Sequence, residues 1–273
     1  MNKTDIEWCD VSWNPVTGCL HDCEYCYAHD IAWRFRGFEP RCGGEFIPCR
    51  KTNSISETTR GELLHVFNEQ PMKRTKSGFW QKASYPYEFE PTFHKYRLDE
   101  PQKTKKARSI FVCSMADLFG DWVPDEWIEE VFDVCYAAPQ HTYLFLTKNP
   151  NRYAKLSLQG ILPKNDNYWY GSTTTTQGAP YWLNPQYRTF RSIEPLIGEF
   201  DRYTIPLKYA DCVIIGAETG NHKSKVIPRR EWIEAIVEVC RATNTPVFMK
   251  NSLVPIVGEE SMRRDLPWEV HKK

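Results

Sequence analysis

Residues 109–146, SIFVCSMADLFGDWVPDEWIEEVFDVCYAAPQHTYLFL, decide the fold. Ser109-Ile110-Phe111-Val112-Cys113 is an apolar run with β-branched and aromatic residues, the composition of a strand buried on both faces. Asp125, directly after Pro124, is placed to cap a helix, and Trp127, Ile128, Val131, Phe132 and Cys135 then recur along one helical face. A second buried run covers 142–146. Strand, helix and strand over this length predict a parallel β-α-β unit.

The pattern continues outward. Further strands are predicted at 168–173, 189–193, 212–215 and 246–249, and Trp232, Ile233, Ile236, Val237 and Cys240 mark another amphipathic helix. Trp127-Ile128-Glu129, Val134 and Cys135 recur at a constant offset as Trp232-Ile233-Glu234, Val239 and Cys240, and each helix leads toward a Lys-Asn pair, Lys148-Asn149 or Lys250-Asn251. Two similar helix-strand units belong in one sheet or barrel. In parallel folds, polar residues just past the strands gather on one rim, where α/β proteins place their sites. Here these are Ser114 and Asp117, Thr147 and Lys148, Ser172 and Thr174, Ser192 and Glu194, Glu218, and Lys250 and Asn251.

The chain has 273 residues, enough for two domains or for one α/β barrel, and its 14% aromatic content can order a large core, which excludes disorder. Asp5, Glu7 and Asp10 stand where a signal peptide needs a basic start, and no apolar stretch approaches the ~18 residues of a membrane span. The expectation is a cytoplasmic protein with no membrane partner, whose ten cysteines are thiols or metal ligands rather than disulfides. Lys and Arg number 35, matching 35 Asp and Glu, yet between Arg50 and Arg108 there are 13 basic residues against seven acidic ones. Such a segment attracts nucleic acid or a phosphorylated partner locally, or is a solvated insertion.

The sharpest motif is Gly18-Cys19-Leu20-His21-Asp22-Cys23-Glu24-Tyr25-Cys26-Tyr27. Three cysteines in so tight a loop, with no fourth nearby, suit an iron-sulfur cube with one iron left open. The alternative is zinc held by Cys19, Cys23, Cys26 and either His21 or His29. Cys113, Cys135, Cys212 and Cys240 sit in apolar patterns and read as core residues, while Cys9 is undecided. No Gly-x-Ser-x-Gly elbow, phosphate loop or His-Glu-x-x-His segment supports a hydrolase or nucleoside triphosphatase.

The cysteine spacing, with Tyr25 before the last ligand, resembles the signature of the radical S-adenosylmethionine superfamily. Gly18-Cys19 through Tyr27-Ala28 is similar to its spore photoproduct lyase-like branch. Trp13-Asn14-Pro15-Val16-Thr17-Gly18-Cys19, Ser114-Met115-Ala116-Asp117-Leu118-Phe119, Leu146-Thr147-Lys148, Ser192-Ile193-Glu194-Pro195-Leu196 and Gly216-Ala217-Glu218-Thr219-Gly220 resemble the phage gene-product 37/68 family of unassigned function. The resemblance implies a partial (β/α)6 TIM-like barrel over residues 1–273. Its parts would be a cluster loop at 17–28, a polar, basic insertion near 40–108, core β-α units at about 109–252 and a tail at 253–273. It further implies a 4Fe-4S cluster on Cys19, Cys23 and Cys26 that binds S-adenosylmethionine at its open iron. One electron, from a donor such as flavodoxin or ferredoxin, would then release methionine and a 5′-deoxyadenosyl radical that abstracts hydrogen.

By position, Tyr25 would lie near the adenine, and Ser114, Ser192, Glu194 and Glu218 would bond ribose or methionine groups. Asp117 and Lys148 would bind substrate or cofactor. Gly43-Gly44-Glu45 looks like the superfamily's amino-group motif but stands too early, since the second strand is expected near 88–93. Cys42 and Cys49 flank it as a thiol pair or a further metal site. The leading expectation is therefore a radical enzyme acting on nucleic acid, a nucleotide or another substrate. The alternative is a zinc- or cluster-stabilised binding protein without catalysis.

Overall fold

The computed structural model describes residues 1–37, 53–57, 63–201, 210–219 and 226–271. Gly43-Gly44-Glu45, Cys42, Cys49 and Gly220 lie outside the described residues. The first strands are β1 (Asn2–Lys3), β2 (Val11–Trp13), β3 (Val16–Thr17), β4 (Asn53–Glu57), β5 (Leu63–Phe67), β6 (Met72–Arg74), β7 (Trp80–Lys82) and β8 (Thr92–His94). There follow β9 (Ser109–Val112), β10 (Thr142–Thr147), β11 (Tyr168–Thr173), β12 (Arg188–Ile193), β13 (Cys212–Ile215) and β14 (Val247–Met249). The helices are α1 (Tyr27–Arg34), α2 (Asp125–Ala137), α3 (Pro150–Leu158), α4 (Arg230–Ala242) and α5 (Val254–Val257). The chain divides into two compact units, one of residues 1, 12–105 and 112–138, the other of 2–11, 106–111 and 139–273.

In the second unit β9 to β14 run parallel, each paired with its chain neighbour. Most of their residues are buried on both sides because both faces are covered. On one face Phe111, Trp169, Phe190 and Phe248 pack with Trp8, Cys9 and Trp268. On the other, Ile193, Val213, Ile215, Val247 and Met249 meet Ile233, Ile236 and Cys240 of α4. Gly171 is required by this packing, since a Cβ there would lie 2.3 Å from the Phe190 ring. Cys9, undecided from sequence, is a fully buried core residue. β1 and β2 extend the sheet on the β9 side, β2 being divided between the units, and the sheet ends at β1 and β14 without closing into a barrel.

The first unit is built on a mixed sheet in the order β3-β8-β5-β4, with β3 antiparallel and β5 parallel to β8, and carries the separate hairpin β6–β7. The strand expected near 88–93 as the second of a parallel barrel is thus β8, in a different sheet. β8 pairs over only two residues with β3 and three with β5, too few to leave an alternating signature. The stretch 40–108 is accordingly more than a solvated surface, because Leu64, His65, Phe67, Thr92, Phe93 and His94 are buried. α2 packs Trp127 against Phe93 with ring centroids 5.1 Å apart. Its cap is Pro124, in extended conformation, and not Asp125. Asp125 instead occupies the first turn, where its charge complements the helix dipole.

Candidate functional site

The three-cysteine loop leaves β3 through Gly18, whose φ of +89° is one that side-chain-bearing residues rarely adopt. A Cβ there would meet the Glu90 carbonyl oxygen at 2.1 Å. Backbone bonds fix the loop's entry, Gly18 N–H to Met115 O at 2.9 Å and Cys19 N–H to Phe89 O at 3.0 Å. At its exit Cys26 N–H donates to Cys23 O at 3.0 Å, and Cys26 becomes the N-cap of α1, its Sγ accepting from His29 N–H at 3.4 Å. A sulfur at a helix start replaces the usual Ser or Asp oxygen and receives an amide that the helix cannot satisfy internally.

The side chains around the loop brace it. His21 Nε2 bonds Asp117 Oδ2 at 2.7 Å and sets its ring edge-on to Trp122 at 4.9 Å, while Asp117 Oδ1 accepts Phe119 N–H at 3.0 Å. Asp117, expected to bind substrate or cofactor, therefore has one oxygen bonded to the loop's His21 and the other to its own turn. Ser114 Oγ bonds Asn14 Oδ1 at 3.2 Å, and the same oxygen accepts Met115 N–H at 3.0 Å. Tyr27 Oη donates to Ser114 O at 2.9 Å. Tyr25 lies half-buried in the turn between Cys23 and Cys26.

Beneath the loop's entry, Thr17 Oγ1 bonds His94 Nε2 at 2.8 Å, and His94 Nδ1 bonds Tyr96 Oη at 3.0 Å. His94 is completely buried, and burial first, then the positive charge of Arg97, holds its imidazole well below the usual histidine range. His65, bonded to Glu90 and stacked on Tyr87 at 3.6 Å, is also lowered by burial, against the opposing pull of Glu90.

The remaining expected residues belong to the second unit. Glu194 forms an ion pair with Lys250 across Gly216, where a Cβ would meet Lys250 Cδ at 3.0 Å and Glu194 Cδ at 3.2 Å. Ser192 is buried in β12 and Lys148 directly follows β10. Glu218 is buried and accepts Val226 N–H at 2.8 Å, so it ties down backbone rather than standing open. Sequence reading missed Arg191, which is buried, donates from Nε to Thr174 Oγ1 at 3.0 Å and lies 4.6 Å over the Tyr181 ring. Burial holds its guanidinium down to about 10. It also missed the roles of Asn14 and His21, although both lie in motifs it quoted. Cavities of about 420 and 530 Å³, lined by Asp166 and Arg188 among others, open at the strands' N-terminal ends, opposite the polar rim of the second unit.

The described cysteines fall into two sets. Cys9, Cys113, Cys135, Cys212 and Cys240 are buried, and desolvation pushes the Cys113 and Cys240 thiols up to about 12. Cys19, Cys23 and Cys26 are partly exposed. Among the described residues no group of three or more His, Cys, Asp or Glu side chains is placed to hold a single metal ion, so the geometry gives the zinc tetrahedron no support. A cubane asks for less convergence, because each thiolate meets a different iron. No described helix is long and apolar enough to cross a membrane.

Comparison with known families places residues 3–255 in a family described as protein of unknown function (DUF5131). No curated protein and no solved structure matches. This corrects the resemblance drawn from the motifs. The family found is not the radical S-adenosylmethionine superfamily, its photoproduct lyase-like branch or the phage gene-product 37/68 family, and no barrel closure is evident in the described sheet. Short blocks such as Gly18-Cys19 and Ser114-Met115 were too brief to carry membership.

Proposed function

The chain belongs to the DUF5131 family, which carries no assigned activity, so we propose a function from its own residues: the loop of Cys19, Cys23 and Cys26 binds a 4Fe-4S cluster with one open iron, for redox chemistry on S-adenosylmethionine. The observation behind this reading is the contrast between three partly exposed cysteines on one braced loop and the other described cysteines, which are all buried. A cysteine without function is among the most buried of residues, so three of them in a polar loop suggest ligands. When bound, the group supplies one-electron cleavage of the sulfonium and hydrogen abstraction from a substrate.

The residues divide that work. Cys19, Cys23 and Cys26 provide soft donors. Gly18 sets the loop's direction, and the His21 to Asp117 bond keeps its middle from collapsing onto the thiols. His29 N–H, bonded to Cys26 Sγ, stabilises electron density on that sulfur, the kind of bond that tunes a cluster's potential. Tyr25, between two ligands, presents a ring to a cofactor's adenine, and Ser114 presents a hydroxyl oriented by Asn14. A flavodoxin or ferredoxin would deliver the electron, and the positive balance of residues 50–108 favours a nucleic acid or nucleotide as substrate.

Anaerobic reconstitution tests the proposal. The expected product is brown protein with about four irons per chain that releases 5′-deoxyadenosine from S-adenosylmethionine when reduced, with Cys19→Ala, Cys23→Ala and Cys26→Ala each losing the iron. Colourless protein with one tightly held zinc, or full iron content in any of the three variants, overturns it.

A further inference from the structure

The surface beside the cysteine loop carries aromatic rings and cations in an arrangement that the cluster does not explain. α1 follows Cys26 directly, and at its far end Trp33 and Phe35 are 49% and 51% exposed. Arg36 lies with its guanidinium 4.0 Å over the Trp33 ring, and Arg34 stands exposed between them. Hairpin β6–β7 joins this end of the helix, because Lys73 Nζ donates to the carbonyls of Phe35 at 2.6 Å and Arg36 at 2.9 Å. Residues 72–82, MKRTKSGFWQK, contain four cations and no acid. Phe79 at the hairpin tip is 74% exposed, and Arg74 covers the Trp80 ring at 4.9 Å.

We propose that α1 and the β6–β7 hairpin form a binding surface for single-stranded nucleic acid. Exposed rings offer stacking platforms that any unpaired base can use, and exposed Arg34, Arg74, Lys76 and Lys82 supply charge for the phosphates between them. A duplex keeps its bases stacked on one another and cannot use such rings, so the strand must be single. An anionic membrane also attracts cations and aromatics. It requires, however, a continuous apolar helical face, whereas α1 has eight residues and places Asp30 and Arg34 between its exposed rings. Of the acids near this surface, Asp30 stands in the first turn of α1 and Glu88 lies 3.4 Å from Arg36, a cation outside the four named for the phosphates.

The inference deepens the function proposed above by naming its substrate class, and rests on that reading only for the claim that the bound strand is acted on. The test is fluorescence anisotropy of the full chain with labelled dT20 and U20, at 50 and 200 mM salt. Binding is expected to weaken as salt rises, with Trp33→Ala and Phe79→Ala each weakening it roughly 5- to 100-fold. Lys76→Ala should lower the salt slope by about 0.7. Tyr136→Ala, which removes an exposed ring on α2, leaves affinity unchanged. The two oligonucleotides separate DNA from RNA. Wild-type protein stripped of iron by a chelator binds as the reconstituted protein does, so a failed cluster and a failed surface give different results. Absence of oligonucleotide binding at 50 mM salt, indifference to Trp33→Ala and Phe79→Ala, or a preference for anionic vesicles lost in those same variants each overturns the proposal.

Discussion

Acid should weaken the first unit through His94, which is completely buried with both ring nitrogens bonded, to Thr17 and Tyr96. Burial and Arg97 keep it neutral in the folded chain, whereas in the unfolded chain it takes a proton near pH 6.5. The unfolded state therefore binds more protons below that pH, and stability falls as the solution is acidified from about 6.5 toward the folded value. The loss from His94 accumulates at up to about 1.4 kcal/mol per pH unit over that range. His65 adds to it in the same direction. The assay is native-state hydrogen exchange at several pH values, read at the first unit's amides, comparing wild type with His94→Gln. Glutamine keeps a donor and an acceptor but does not titrate, so the variant should start less stable and lose less on acidification. Carboxylates titrate in both proteins and cancel. Parallel stability curves for the two proteins between pH 7.5 and 5 would refute the argument.

Other substitutions probe the loop and the second unit's rim. Gly18→Ala forces a Cβ onto the Glu90 carbonyl at a φ of +89°, and should cost about 2 kcal/mol or more in urea unfolding and reduce iron uptake; wild-type behaviour would remove the steric argument. Asp117→Ala leaves His21 without its partner and is expected to cost about 1–3 kcal/mol and to speed iron loss to a chelator, whereas Asp117→Asn, able to keep one bond, should be milder. Glu194→Gln strands the Lys250 ammonium, whose side chain is 14% exposed. It should destabilise by about 1–3 kcal/mol, with partial recovery on adding Lys250→Met; a cost below about 0.5 kcal/mol for the single change would show that solvent satisfies the lysine.

What the sequence revealed follows from what burial on two faces does to composition. β13 is a continuous apolar run and β11 opens on three aromatics, and the predicted limits of both agree with the strands found. The internal echo also has a physical counterpart: α2 and α4 are 13 residues each. α3 escaped notice because its mean hydropathy is low and its start, Pro150, comes only two residues after a strand. The mixed sheet of the first unit escaped because β3 and β8 are two and three residues long and pair across a wide chain separation. Of the candidate site, the cysteines stood out by spacing alone. Nothing local to Asp117 or Glu218 announces that one bonds His21 and the other Val226 N–H, since both partners are fixed by tertiary structure. The family resemblance went further than its short blocks allowed.

The loop's construction bears on how a cluster would affect folding. In small zinc domains the metal supplies the folding energy, because nothing else fixes the ligands. Here the entry is fixed by backbone bonds from Gly18 and Cys19, the middle by His21 and Asp117, and the exit by the first turn of α1. These contacts use peptide groups and side chains of the first unit's own core, with Met115 and Phe119 buried beneath them. The loop's backbone is thus set before any group would bind, and little binding energy would be diverted to ordering the chain. Stabilisation by the cluster then follows mass action alone, growing with the logarithm of ligand excess. An iron-free chain that keeps the exchange protection of Gly18 and Cys19 amides would accord with this, while a loop that orders only on iron binding would mean that the cysteines, not the protein around them, build the site.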